Sequence, residues 1–347
     1  MLQTFQYRAP FITERGDRLE GLTVAYRTYG QLNEQADNVV WVCHALTGSA
    51  DVDQWWARLF GEGRLLDPAR HFIVCANMLG SCYGSTNPLS PNPSTGTPYY
   101  YDFPLLTNRD IVRGFELLRR HLGIRRIRCI IGGSMGGQQA LEWLIEVPDL
   151  FDSAYLIACN ARHSPWGIAF NEAQRMAIEA DSSWGLRTPE AGLKGMEAAR
   201  ACAMLSYRHY QSYALTQSET DGSERTDDFR AASYQRYQGK KLRSRFHAFS
   251  YYWLSKAMDS HDVGRGRGGV EAALARIRAQ VLVLGISTDV LFPLAEQQLL
   301  AHYIPHASLR ILHSVYGHDA FLIETEAVQR FYFDYFKQSN NCLFAVP

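Results

Sequence analysis

Residues 128–137 read Arg128-Cys129-Ile130-Ile131-Gly132-Gly133-Ser134-Met135-Gly136-Gly137. An apolar run enters a G-x-S-x-G pattern, and a helical stretch follows from Gly137 to Glu146. The order carries more weight than the pattern, because a serine on a strand-to-helix turn is held clear of its neighbours. Glycines on both sides let the backbone take that turn. The helix behind it aims its first N–H groups at the serine oxygen, where negative charge would develop. A serine so placed is a candidate nucleophile rather than a plain turn residue.

Working outward, short runs that are apolar on successive residues recur with helical stretches between them. They are Val39 to Cys43, Phe72 to Ala76, Cys129 to Ile131, Ala154 to Ala158, Val281 to Leu284 and Leu309 to Leu312. Such runs predict strands buried on both faces, as in a parallel sheet. Asp110 to Leu122 carries apolar residues at helical spacing and stops at Gly123; Glu324 to Phe336 predicts a closing helix. Strand and helix in alternation give a mostly parallel, doubly wound α/β sheet. From His163 to Leu274 the rhythm breaks. Helical periodicity appears over Ala169 to Ala180, Leu193 to Tyr207 and Arg245 to Met258, a polar loop is expected from Gln217 to Asp228, and Gly264 to Gly269 reads as a flexible return to the sheet. The expected division is a core of residues 1–162 and 275–347 with a helical lid of residues 163–274 inserted in it.

A serine hydroxyl needs an adjacent base, and the base needs an orienting acid. In folds built on this turn the acid and then the histidine follow the serine along the chain, each on a loop after a strand. Asp289 follows the Val281 strand, and His318 follows the Leu309 strand. His313 also ends that strand, but Gly317 before His318 permits a tight loop that turns the ring inward. Two N–H donors must hold a developing oxyanion. Met135 supplies one, and Leu46, on the loop after the Val39 strand, supplies the other.

Composition narrows the class. The 347 residues are 46% hydrophobic and 20% charged, with Lys+Arg and Asp+Glu at 35 each. That suits a large enzyme core and offers no basic stripe for nucleic acid or an anionic membrane. No run approaches a membrane span, and Met1 to Phe11 lacks an apolar signal core, so a cytoplasmic location is expected. Seven cysteines without a C-x-x-C pair are expected to be reduced, and no metal site is expected.

Longer stretches carry a resemblance. Cys43 to Gly48, Asn77 to Thr86, Asp102-Phe103-Pro104, Gly132 to Gly137, Ile168 to Glu172, Ala257 to Gly266 and Tyr316 to Leu322 occur in this order. Across nearly its whole length the chain resembles the homoserine O-acetyltransferases of the α/β-hydrolase fold, enzymes of methionine biosynthesis. The resemblance implies the triad Ser134, Asp289 and His318, in agreement with the reading of the residues. It further implies that Arg200 and Tyr207 contact the amino-acid substrate and that Asp319 holds its ammonium. Acetyl-CoA and L-homoserine would be the substrates, no bound cofactor would be needed, and a homodimer would form through the lid helices. Asn87-Pro88 departs from the more usual Gly-Pro in a loop bordering the site. Homoserine O-succinyltransferase, serine O-acyltransferase, and an esterase or thioesterase on the same scaffold remain as alternatives, and a non-catalytic binding protein is disfavoured by the intact triad.

Overall fold

The computed structural model describes residues 1–220 and 222–338. Part of the expected core segment, residues 339–347, lies outside the described residues, and Cys342 with it. Eight strands form the main sheet: β1 (Gln3–Tyr7), β2 (Leu22–Tyr29), β3 (Val39–Cys43), β4 (Phe72–Ala76), β5 (Ile127–Gly133), β6 (Phe151–Ile157), β7 (Gln280–Ile286) and β8 (Ala307–Leu312). Their spatial order is β1-β2-β4-β3-β5-β6-β7-β8. The β1–β2 and β2–β4 pairings are antiparallel, and the remaining five are parallel. Strands β3, β5 and β7 are buried along almost their whole length. Their continuous Val/Ile/Leu character follows from being covered on both faces.

One face packs against the helices Asn108–His121 and Met135–Glu146, where Trp41, Phe115 and Trp143 interlock; the Trp41 and Trp143 rings meet edge-on at 4.9 Å. The other face packs against the helix Thr325–Gln338 through Val328 and Tyr332. Asn108–His121 begins in a capping box, with Thr107 N–H donating to Asp110 Oδ2 at 2.9 Å and the Thr107 hydroxyl oxygen accepting from Asp110 N–H. Just beyond its end, Gly123 takes a φ of 68°.

Between β6 and β7 come the helices Pro165–Glu179, Leu193–Tyr207, Tyr210–Gln217, Arg230–Arg243, Ala248–Asp259 and the short Val270–Leu274, and, among the described residues, no strand of the main sheet. Two of these, Tyr210–Gln217 and Arg230–Arg243, were not anticipated, and they flank the expected polar loop from Gln217 to Asp228. The exposed connection between them comprises, among the described residues, 218–220 and 222–229. The expected helix from Arg245 starts instead at Ala248, because His247 Nδ1 accepts from Ser250 N–H at 3.0 Å and caps it. The Gly264–Gly269 return is not a loose tether. Arg267 donates to Glu142 at 2.6 Å, Arg265 pairs with Glu14, and Arg109 donates to the Arg265 carbonyl at 2.6 Å. Three guanidinium groups thus pin the end of the insertion to the core.

Strand order reverses at β3, which has β4 on one side and β5 on the other. A crevice opens at the carboxyl ends of strands at such a reversal. Leu46 follows β3 and Ser134 follows β5, so topology alone brings the two loops to its rim.

Candidate active site

Ser134 sits directly after β5 as the cap of the helix Met135–Glu146, with φ 57° and ψ −130°. A non-glycine residue in that region is strained, and the strain persists only where its surroundings fix it. They do so here. Ser134 N–H donates to the Ile157 carbonyl at 2.9 Å, and its own carbonyl accepts from Gly137 N–H at 2.9 Å. The neighbouring glycines are forced by close approach: a β-carbon on Gly136 would stand 2.2 Å from the Cys43 carbonyl oxygen, and one on Gly133 would stand 2.7 Å from the Phe321 ring.

Asp289 and His318 meet although 29 residues separate them: His318 Nδ1 lies 2.6 Å from Asp289 Oδ2. The other carboxylate oxygen accepts from Leu291 N–H at 2.8 Å and Phe292 N–H at 2.9 Å. Asp289 is therefore an acceptor at both oxygens. It fixes the tautomer with the proton on Nδ1 and leaves Nε2 free to take one. Both side chains are buried, 5% and 3% exposed. Burial alone would push the His318 pKa down. The Asp289 carboxylate, by charge and hydrogen bond, and Asp319 more weakly, outweigh it and raise the ring above its ordinary value.

Phe292 stacks on the imidazole at 5.1 Å, and Phe321 meets it edge-on at 5.6 Å while also touching Gly133. The same phenyl ring thus bridges the serine turn and the histidine. Among the described residues the Ser134 hydroxyl makes no hydrogen bond to the ring; such contacts are often long until substrate tightens them. Behind the triad, Glu296 accepts from Asn160 Nδ2 at 3.0 Å, and burial, with the Asp289 charge beside it, lifts its pKa to about 7.

The N–H groups of Leu46 and Met135 have no acceptor among the described residues, as two oxyanion donors require. The Leu46 loop is braced by His44, which the sequence left unremarked. Its Nε2 accepts from Met78 N–H at 3.3 Å, so the proton lies on Nδ1 and is donated to the Ala45 carbonyl at 2.9 Å. Full burial lowers its pKa to about 4 and keeps the ring neutral. From outside, Arg245 donates to the Thr47 carbonyl at 2.7 Å.

A cavity of about 600 Å³ opens beside this machinery, bounded by Gly133, Trp56, Tyr83, Arg200 and Phe321. Arg200 stands 5.0 Å above the Tyr207 ring, and that ring lies 5.9 Å from His318. Asp319 has a partner within the chain: its carboxylate lies 3.0 Å from Arg208 Nε. Gly317, at φ 67°, lets the histidine loop abut the backbone of Arg208 and His209, so the end of the helix Leu193–Tyr207 is seated on the loop that carries His318. No spacing rule links residues 208 and 319, so this pair had no signal in the sequence. Among the described residues no cluster of side chains could hold a metal ion, and six cysteines are free thiols.

The arrangement supports nucleophilic attack by a serine on a carbonyl carbon. Comparison with known proteins narrows the lineage. Residues 38–325 match the family described as the alpha/beta hydrolase fold. Over 327 residues the chain is 52% identical to a protein named homoserine O-acetyltransferase from Cyclobacterium marinum, covering 94% of this chain and 93% of that one. Among solved structures, a homoserine O-acetyltransferase from Staphylococcus aureus is 30% identical, with a TM-score of 0.78 over 96% of this chain and 94% of that one. The crystal structure of an esterase superposes with a TM-score of 0.84 at 23% identity over 95% of this chain and all of that one (100%), which speaks for the fold alone. The chain belongs to the homoserine O-acetyltransferase family of α/β-hydrolase-fold proteins.

Proposed function

We propose that the chain transfers an acetyl group from acetyl-CoA to the side-chain hydroxyl of L-homoserine through an acetyl-serine intermediate. The observation that carries this reading is the 52% identity, over 94% of the chain, to a relative named for that reaction. The pairing of His318 with Asp289 at 2.6 Å supports the mechanism. His318 Nε2 takes the Ser134 proton, and Ser134 Oγ attacks the thioester carbonyl carbon. The tetrahedral oxyanion rests on the N–H groups of Leu46 and Met135. Collapse breaks the carbon–sulfur bond, and the proton on His318 passes to the departing CoA thiolate. Homoserine then enters, His318 deprotonates its hydroxyl as that oxygen attacks the acetyl carbon, and as the bond to Ser134 Oγ breaks the proton on His318 passes to Ser134, restoring the free enzyme. Arg200 is the side chain suited to grip the homoserine carboxylate as a planar fork, with Tyr207 beneath it. Asp319 would receive the ammonium, sharing its carboxylate with Arg208.

Residues 163–274 would serve as a lid that keeps water from the acyl-enzyme. Met176, Leu205, Tyr210 and Leu215 stand exposed on its helices, which favours a homodimer through this region. No helix among the described residues is long and apolar enough to cross a membrane, in keeping with a cytoplasmic enzyme. The test is release of CoA from acetyl-CoA with and without homoserine, with mass spectrometry of the protein after brief exposure to the donor. An acetyl adduct on Ser134, absent from Ser134→Ala, with release that depends on homoserine, is expected. Rapid release without homoserine would make the chain a hydrolase instead.

A further inference from the structure

The cavity beside Ser134 changes character along its length. Its inner wall is buried and apolar, formed by Cys43, Trp56 and Phe321. Toward solvent stand Lys241 and Arg245, both exposed and both from the insertion, and the half-buried Arg200 also lines the cavity. Among the described residues none of these three cations lies within ion-pair distance of a carboxylate. Arg200 rests on Tyr207, Arg245 donates to the Thr47 carbonyl and the Tyr83 hydroxyl, and Lys241 stands 6.0 Å from the centre of the Tyr237 ring. The acid bordering the cavity, Asp51, is already paired with Arg27. The entrance is therefore positive with nothing built to neutralise it, while the interior is apolar. Lys241 lies in the last turn of the helix Arg230–Arg243, and Arg245 follows just beyond its cap at Ser244.

We propose that Lys241, with the outward side of Arg245, seats the diphosphate of the acyl donor. This rests on acetyl-CoA being the donor. The apolar interior suits the pantetheine arm and the thioester, and the entrance suits the polyanionic end. The enzyme would then distinguish a full acyl-CoA from a short thioester by charge at the rim, far from the bond that breaks. Arg245 also braces the oxyanion loop, so Lys241 is the residue that isolates the effect. The lysine is exposed and its side chain makes no hydrogen bond among the described residues, so replacing it is expected to leave the fold intact.

The experiment compares kcat/KM for acetyl-CoA with kcat/KM for S-acetyl-N-acetylcysteamine, a thioester without phosphate, at fixed homoserine. In Lys241→Glu the ratio of the two is expected to fall about tenfold, through KM for acetyl-CoA. The fall should shrink between about 0.05 M and about 0.5 M salt as the rim charges are screened. Lys256→Glu makes the same change of charge on another face of the insertion, over Tyr252 and Trp253, and its ratio should match the parent. A Lys241→Glu ratio within twofold of the parent, or an equal fall in Lys256→Glu, overturns the assignment while leaving the acetyltransferase reading intact. A parent enzyme that uses neither thioester overturns both.

Discussion

Replacing Gly136 by alanine tests whether the oxyanion site is built by contact between two backbones. The added β-carbon would lie 2.2 Å from the Cys43 carbonyl oxygen and 2.9 Å from its carbon. Both are main-chain atoms of β3, so no rotamer change can relieve the clash. To reach ordinary van der Waals separation, the helix carrying Met135 and the strand leading to Leu46 must part by about 1 Å. Each carries one of the two proposed donors, so the parting opens the site itself. Misplacement by about 1 Å costs on the order of 100-fold in rate, and loss of one oxyanion donor costs about 100- to 1000-fold. A fall of about 100-fold in kcat for CoA release is therefore expected, with KM for homoserine nearly unchanged. Overpacking should also cost about 1–3 kcal/mol of stability, seen as a lower Tm. Stopped-flow detection of free thiol gives the rate, and calorimetry gives the Tm. A variant with kcat within threefold of the parent and the same Tm would refute the idea that Gly136 sets this spacing.

Because His318 must be neutral to accept a proton and its pKa is raised, activity should fall on the acid side from above the ordinary histidine value of about 6.5. Asp289→Asn removes the charge that raises it and misorients the ring; kcat should fall by several orders of magnitude, and any residual activity should show its acid limb at lower pH. Stability should follow the opposite group of histidines. Burial, the largest cause in each case, lowers His44, His163 and His247 to about 4, so the unfolded chain takes up protons first and stability drops as pH falls from about 6.5 toward 4. Acid titration of the unfolding midpoint checks this, and a flat profile over that window would contradict it. His44→Ala strips the brace from the Leu46 loop and opens a cavity, which should cost about 2–4 kcal/mol and lower kcat at least tenfold; unchanged kcat would show that the loop needs no brace. Arg200→Lys keeps the charge but loses the fork, so KM for homoserine should rise about tenfold or more while single-turnover acetylation by acetyl-CoA is retained; equal loss in both steps would place Arg200 elsewhere in the mechanism.

Much of this site could be read from the chain because its parts follow strong local rules. Ser134 announces itself by an apolar strand, four nearby glycines and a helix. Asp289 and His318 sit after strands whose uninterrupted apolar character marks them as buried. What could not be read depends on distance in the chain or on weak local signals. Strand β1, Gln-Thr-Phe-Gln-Tyr, is largely exposed and carries no apolar run, so neither it nor its antiparallel partner was anticipated. The helix Arg230–Arg243 buries only Gly239 and Leu242, too little for periodicity to reveal. A single histidine before a loop says nothing of its neighbours, so the role of His44 waited on Met78 and Ala45 being brought to it. The partnership of Arg208 with Asp319 depends on how the insertion folds back over the core.

The proposed triad is distributed along the chain in the order nucleophile, acid, base, after β5, β7 and β8, with the helices between β6 and β7 lying between the first and second. During ribosomal synthesis, which runs from the amino terminus, Ser134 therefore emerges long before the imidazole that ionises it. A nascent chain released early would display the strained turn and remain chemically inert. On the proposed mechanism, reactivity arrives only once β8 has joined the edge of the sheet and the loop behind it has delivered His318 to Asp289.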